Sequence, residues 1–219
     1  MLTAQQILDH SDTGDPWPTG SAAFADLPAA YQTALAVRAL RVARGEVPRG
    51  YKIGFTNRSI WPRYNVYAPV WGTVWNTTVT ECDGAGTVPL SGICQPRIEP
   101  EAVFGLRSAP PDDADLDGIF GALVGPRVPV ADLASDAAGL NRVLAAARVK
   151  LHRNGQCVEE GAGANVLDGP LLALRHFIAE LRSCPGAAGL AAGDIVTTGT
   201  WTDAWPVKAG ERWAARYDS

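Results

Sequence analysis

From about residue 48 onward the chain consists of short apolar or aromatic runs separated by Gly, Pro, Asn and Asp. This pattern is typical of strands joined by turns. The predicted strands are residues 51–55, 72–75, 86–89, 97–106, 121–124, 148–153, 194–198 and 211–217. One helix is expected among them, behind Asp168 as its N-cap, because apolar residues recur there at helical spacing. These residues are Leu171, Leu174, Phe177, Ile178 and Leu181.

The first 47 residues follow a different pattern. A short helix is predicted to begin near Thr3, and a longer one is predicted over residues 27–44, where apolar side chains form a stripe along one face. The expected organisation is therefore a helical N-terminal extension, residues 1–47, packed on a β-rich unit formed by residues 48–219. A chain of 219 residues is long enough to bury a sizeable core.

Composition narrows the functional classes. The net charge of −4 leaves no basic surface for nucleic acid, and no apolar run approaches the roughly 18 residues that a membrane span needs. The N-terminus lacks a basic segment followed by an apolar one, so a cytoplasmic protein with small-molecule or protein partners is expected. The four cysteines lie far apart without a CxxC pair, which favours reduced thiols over a zinc site.

Two carboxylates interrupt the apolar strand predicted over residues 97–106. In an extended strand Glu99 and Glu101 leave the backbone on the same face, roughly 6 to 7 Å apart. A hard divalent cation such as Mg²⁺ or Mn²⁺ would relieve the repulsion between them, since it prefers oxygen ligands. The alternative is an edge strand whose solvent face carries two glutamates.

Several stretches carry a family resemblance in a consistent order between about residues 31 and 217. They are Gly50-Tyr-Lys-Ile-Gly-Phe-Thr56, Pro69-Val-Trp-Gly72, Gln95-Pro-Arg-Ile-Glu-Pro-Glu101, His152-Arg-Asn-Gly155, Gly161-Ala-Gly-Ala-Asn-Val-Leu-Asp-Gly-Pro170, Asp194-Ile-Val-Thr-Thr-Gly-Thr200 and Pro206-Val-Lys-Ala-Gly210. Together they resemble the 2-keto-4-pentenoate hydratase branch of the fumarylacetoacetate hydrolase superfamily. The resemblance implies an α+β fold, namely a mixed β-roll or barrel with flanking helices, and a homodimer or larger assembly.

The resemblance also implies a site. It makes Glu99 and Glu101 two of three carboxylate ligands of Mg²⁺ or Mn²⁺, and it makes Lys52 an active-site lysine that binds the substrate carboxylate or transfers a proton. Such a metal stabilises the enolate of a 2-oxo acid substrate. The implied substrate-binding residues are Thr198, Thr200, Trp71 and Arg97.

Two departures from the family pattern narrow this expectation. Val70 stands where many of these hydratases carry an acid–base aspartate, and valine cannot carry a proton. The segment with the third metal ligand is either deleted, so that residues 121–127 form the strand after it, or shifted in register, so that Asp132 is the ligand. We favour the deletion, with weak metal binding as its consequence.

The function expected from the sequence is a lyase reaction, most like hydration of a 2-hydroxydienoate. Decarboxylation or C–C bond hydrolysis of 2-oxo or 1,3-dicarbonyl acids is the nearest alternative, because these reactions pass through the same metal-bound enolate. A divergent enolate cyclase or isomerase, and a non-catalytic binding protein on the same scaffold, are the others.

Overall fold

The computed structural model describes residues 2–20, 24–113, 115–124 and 128–218. The helices are α1 (Ala4–Thr13), α2 (Leu27–Ala43), α3 (Trp61–Tyr64), α4 (Leu116–Ala122), α5 (Val130–Leu133), α6 (Ala137–Ala146) and α7 (Pro170–Ser183). The strands are β1 (Pro48–Gly54), β2 (Val70–Trp75), β3 (Arg97–Ile98), β4 (Glu101–Leu106), β5 (Leu123–Val124), β6 (Arg148–Arg153), β7 (Gln156–Ala162), β8 (Ile195–Thr200), β9 (Trp205–Pro206) and β10 (Trp213–Asp218). Short 3₁₀ turns form at Arg58–Ile60 and Gly163–Asn165. Within these described ranges, no helix is long and apolar enough to cross a membrane.

The central element is a five-stranded mixed sheet with the order β2-β1-β8-β4-β5. Strands β1 and β8 run parallel, whereas the other neighbours are antiparallel. A three-stranded antiparallel sheet, β10-β6-β7, and the short β3-β9 pair complete the strands. The α+β expectation is confirmed, but the sheets found among the described residues do not close into a barrel.

One face of the five-stranded sheet is buried by helix α7. Because Leu171, Leu174, Phe177, Ile178 and Leu181 recur at helical spacing, they form one apolar face, and all of them are buried. This face packs with α4, α6 and the sheet residues Tyr51, Ile53, Phe104 and Val196 into the main core. The opposite face of the sheet is thereby left for polar residues.

The three-stranded sheet contributes to a second, smaller core. Val149 of β6 packs there with Val166, Leu167, Ala173 and Trp201. Strand β7 approaches Trp201 so closely that a Cβ on Gly161 would lie 2.2 Å from the Trp201 carbonyl oxygen. This approach brings β7 against the segment that follows β8.

Some predicted elements are absent or displaced. Residues 86–89 form no strand, and the strand expected over 97–106 is broken at residues 99 and 100 because Pro100 has no N–H to donate to a ladder. Residues 121 and 122, which were predicted to begin a strand, are the end of helix α4, and the strand begins only at Leu123. Residues 125–127, which the deletion hypothesis assigned to the same strand, lie outside the described residues. Helix α7 is capped by Gly169 rather than Asp168, whose backbone is left-handed.

Glu46 joins helix α2 to the end of strand β2. Its side chain is 9% exposed and accepts hydrogen bonds from the guanidinium groups of Arg41 and Arg44 and from the Thr77 hydroxyl. The Arg41 guanidinium also lies 4.6 Å from the centroid of the Trp75 ring. The hydrogen bond from Arg41, followed by those from Thr77 and Arg44, outweighs burial and lowers the pKa of Glu46 to about 2.

Replacing Glu46 with Gln is expected to remove a pH-dependent part of the stability. The ionised group stabilises the folded state fully above its ordinary pKa of 4.5, and this contribution is lost as the pH falls towards about 2. Urea unfolding of wild type and E46Q at about pH 7 and about pH 3 checks this. The free-energy gap between the two proteins should shrink at the lower pH, and an equal gap at both would contradict the assignment.

Candidate active site

Two carboxylates and one ammonium group converge on the face of the five-stranded sheet that α7 leaves uncovered. The Lys52 Nζ lies 2.8 Å from an oxygen of Glu99 and also donates a short hydrogen bond to Oε1 of Glu101. The Glu101 side chain is 7% exposed, against 30% for Glu99 and 46% for Lys52. The structure therefore brings together the three residues that the sequence placed at the centre of the site.

Strand alternation explains where Lys52 points. Its neighbours in β1, Tyr51 and Ile53, are buried in the main core, so Lys52 projects from the opposite face. Glu101 opens β4, and an irregularity in its pairing with β8 lies between Glu101 and Val103. Glu99 lies in the break between β3 and β4, so the two glutamates meet through a bend and not through the continuous strand that the sequence predicts.

Glu101 is held more firmly than Glu99. Its Oε2 accepts a hydrogen bond of 2.7 Å from the backbone N–H of Gly199, and its carbonyl oxygen accepts one of 3.3 Å from the Tyr217 hydroxyl. Gly199 has a φ of +97°, and a Cβ there would lie 2.0 Å from Oγ1 of the buried Thr56. Only glycine permits this close approach of β8 to Thr56 without strain.

Burial and the neighbouring glutamates act in opposite directions on the pKa of Lys52. Burial lowers the pKa of Lys52, but the charge of Glu101 and the hydrogen bonds to both glutamates outweigh it, so the net pKa is raised. Burial, and then the negative charge of Glu101, raise the pKa of Tyr217 to about 12. Lys52 is thus a cation and Tyr217 a neutral hydrogen-bond donor at neutral pH.

The threonines of β8 divide between the two faces. Thr198 is fully buried and donates to the Ala102 carbonyl oxygen at 3.1 Å, so it supports β4 from within the structure. Thr200 pairs with Glu101 across the strands. Thr197, which the sequence prediction missed, lies directly between Lys52 and Val103 in the sheet, and its buried hydroxyl has no hydrogen-bond partner.

The other two predicted substrate-binding residues are Trp71 and Arg97, whose described contacts are not with Lys52. Trp71 of β2 pairs with Ile53, stacks on Tyr31 at 4.6 Å between ring centroids and packs against the main core. Its position follows from strand alternation, because Ile53 lies on the core face. Arg97 is exposed and donates to the Ala204 carbonyl oxygen at 2.7 Å.

A groove of about 910 Å³ borders the site on the side of Glu99. Arg97 and Glu99 lie on one wall, and Lys208 and Arg212 lie on another. The groove gives a molecule of metabolite size access to the exposed side of Glu99.

Val70 occupies the same sheet face as Lys52. It pairs with Gly54, and Lys52 pairs with Gly72, two residues further along β2. The side chain at the position where the resemblance implies an acid–base aspartate therefore lies on the same face as the lysine, and it has no ionisable group.

In the part of the chain that the structure describes, the donor set has two carboxylates and no third one joins them. Asp132 lies exposed in α5, whereas Asp115 caps α4 and Asp117 lies within it. Among the described residues, no group of three acidic, histidine or cysteine side chains is arranged to hold a metal ion. Asp132 does not join the glutamates, yet two carboxylates that already converge on one cation fit Mg²⁺ or Mn²⁺, because Mg²⁺ usually keeps several waters.

Comparison with known proteins gives one clear sequence relative. No protein-family model matches the chain. The chain is 29% identical to the 2-hydroxyhexa-2,4-dienoate hydratase of Comamonas testosteroni over 221 aligned positions, which cover 84% of this chain and 79% of the relative. The alignment has more positions, 221, than this chain contributes residues to it. A few dozen positions of the relative therefore have no counterpart in this chain, which is consistent with a shortened chain.

Solved structures show the same fold. The 4-oxalocrotonate decarboxylase from Pseudomonas putida G7, complexed with calcium and acetate, superposes with a TM-score of 0.79 at 24% identity and covers 99% of this chain and 95% of its own. A protein from Yersinia pestis CO92, described as belonging to the fumarylacetoacetate hydrolase family, superposes with a TM-score of 0.54 at 16% identity, covering 78% of this chain and 89% of its own. The chain is therefore similar in sequence to a hydratase, and its fold is similar to that of a decarboxylase and of a protein described as belonging to the fumarylacetoacetate hydrolase family.

Proposed function

We propose that the protein is a metal-assisted lyase acting on a 2-oxo acid or its enol. The observation that carries the proposal is the convergence of Glu99 and Glu101 on a single positive group, the Lys52 ammonium. Nearby carboxylates gathered around a cation in a partly buried site are typical of catalytic centres. The relatives named as a hydratase and a decarboxylase support the same class of reaction.

The two glutamates would hold the divalent ion, with water and substrate completing its coordination. Structures of the decarboxylase with calcium and with magnesium support a divalent cation in this fold. When bound, Mg²⁺ or Mn²⁺ would act as a Lewis acid on the substrate's 2-oxo group and lower the free energy of the enolate by several kcal/mol.

The remaining roles follow from the chain's own side chains. The protonated Lys52 binds the substrate's 1-carboxylate and holds a proton on Nζ beside the reacting carbons. The Gly199 N–H holds Oε2 of the Glu101 carboxylate, which orients Oε1, and the Tyr217 hydroxyl holds the backbone carbonyl oxygen of Glu101. Thr197, which pairs with Lys52 in the sheet, has a buried hydroxyl without a hydrogen-bond partner on the site's face.

Hydration of a 2-hydroxydienoate is the reaction that the sequence relative suggests. Decarboxylation is a second candidate, and Val70 favours it. Addition of water requires a group that removes a proton from water, whereas loss of CO₂ from a second carboxylate, β or vinylogously β to the 2-oxo group, leaves an enolate that need only be stabilised and then protonated. Val70 offers no such base on the face of Lys52.

We expect wild-type protein with Mg²⁺ to turn over a vinylogous 2-oxo diacid with release of CO₂ faster than it hydrates 2-hydroxypenta-2,4-dienoate. CO₂ release and loss of dienoate absorbance, followed in parallel, measure the two activities. Val70→Asp should raise hydration by roughly tenfold or more, the lower range of general acid–base contributions. Val143→Asp, at an exposed position of α6 outside the groove, is the matched control and should not raise it. Metal-independent rates for both reactions would contradict the proposed function.

A further inference from the structure

Lys52 occupies the position between the two carboxylates that the proposed function gives to a divalent ion. Its Nζ contacts both Glu99 and Glu101. A divalent ion and an ammonium group cannot share this position, because two positive charges a few ångströms apart repel strongly in a partly buried site. The two cations must therefore exclude one another.

Glu101 cannot move aside to accommodate both. Glu101 is almost fully buried, and its other carboxylate oxygen is already held by the Gly199 N–H. Lys52 is the mobile partner, since its side chain is half-exposed and an ammonium on a four-carbon stem can turn to a new partner. The exchange thus falls on the lysine and leaves the glutamates in place.

We propose that Lys52 is an internal competitor of the metal, and that loading of the ion displaces its ammonium and turns it towards the substrate's carboxylate. The inference rests on the proposed function and adds an order of events to it. The ammonium stabilises the paired glutamates while the ion is absent, and it becomes a substrate-binding group only after the ion is bound. A molecule without its metal would then lack the carboxylate-binding group as well.

Metal affinity in the absence of substrate tests the competition. Mn²⁺ is titrated into wild type, Lys52→Met and Lys150→Met, and the free ion is followed by electron paramagnetic resonance. Lys150→Met is the matched control because Lys150 pairs with Glu160 at 3.5 Å on the surface. Lys52→Met should bind Mn²⁺ roughly tenfold more tightly, the factor expected if the ammonium occupies the position about nine-tenths of the time. The control should match wild type, and equal or weaker binding by Lys52→Met would overturn the proposal.

Chemical labelling of wild-type protein tests the displacement itself and does not depend on a variant that folds. The reactivity of each lysine towards an amine reagent is measured by mass spectrometry with and without Mn²⁺. Lys52 should become several-fold more reactive when Mn²⁺ is added, whereas Lys150 should not change. Unchanged Lys52 reactivity at saturating Mn²⁺ would show that the ammonium stays in place, and would overturn the proposal.

The two experiments separate this proposal from the function on which it rests. If Glu101→Gln abolishes Mn²⁺ binding while Lys52→Met leaves it unchanged, the metal site stands and the competition is wrong. If no variant binds Mn²⁺ and lyase activity does not respond to metal, the proposed function fails and the competition fails with it.

Discussion

Replacing Glu101 with Gln is expected to lower kcat/KM on a responsive 2-oxo acid by at least roughly a hundredfold, within the range for loss of a group that stabilises developing charge. The change keeps the size of the side chain but removes a carboxylate that both binds Lys52 and faces the proposed metal position. Steady-state kinetics with Mg²⁺ measures the effect. The amide can still accept the hydrogen bond from the Gly199 N–H, so stability should change little by comparison.

Glu160→Gln is the matched control for this variant. Glu160 is exposed and pairs with Lys150 on the three-stranded sheet, where it contacts neither Lys52 nor Glu99. Its kinetics should equal those of wild type. Full activity of Glu101→Gln would mean that the converging carboxylates serve only to hold the fold together.

The second large effect concerns stability. Replacing Gly199 with Ala is expected to lower the free energy of unfolding by about 3 kcal/mol or more, because it combines an unfavourable positive φ with overpacking. The new Cβ would lie 2.0 Å from Oγ1 of Thr56, whose side chain is buried and cannot turn away freely. Denaturant unfolding measures the loss.

A glycine in open space separates the two contributions. Gly193 has a φ of +88°, but no atom lies within 4 Å of the position where its Cβ would be. Gly193→Ala should therefore lose only about 1 to 2 kcal/mol, the conformational part. Equal losses in the two variants would show that contact with Thr56 contributes nothing.

Patterns within single segments predicted much of the fold. Helices α2 and α7 follow from apolar residues at helical spacing, and β6 lies where alternation and turn residues placed it. Helix α6 was not predicted; it spans ten residues and buries Ala137 and Leu140. Strand β7 is rich in polar residues and becomes a strand only through its pairing with β6.

Residues that depend on pairing between segments were predicted less well. Thr198 was expected in the pocket, but the side chain on the face of Lys52 belongs to Thr197, because a shift of one residue along a strand reverses its face. The same reversal places Trp71 in the core. The face of the sheet on which a side chain lies depends on how the strands pair, and a single sequence does not specify that register for distant strands.

The centre of the site was predicted because its residues lie in short motifs. Lys52, Glu99 and Glu101 come together as the motif resemblance implies, although a bend at Pro100 replaces the expected continuous strand. The Tyr217 hydroxyl was missed because it reaches Glu101 from the end of the chain, on a different sheet. No local pattern indicates a contact between residues so distant in sequence.

Crystals soaked with Mn²⁺ and oxalate, measured at the manganese absorption edge, provide the most direct test of the account. We expect an anomalous peak from a Mn²⁺ ion that carboxylate oxygens of both Glu99 and Glu101 bind, with the Lys52 ammonium moved to a carboxylate of the oxalate. A peak elsewhere in the molecule, or no peak while Lys52 still bridges the two glutamates, would contradict the proposed metal-dependent site.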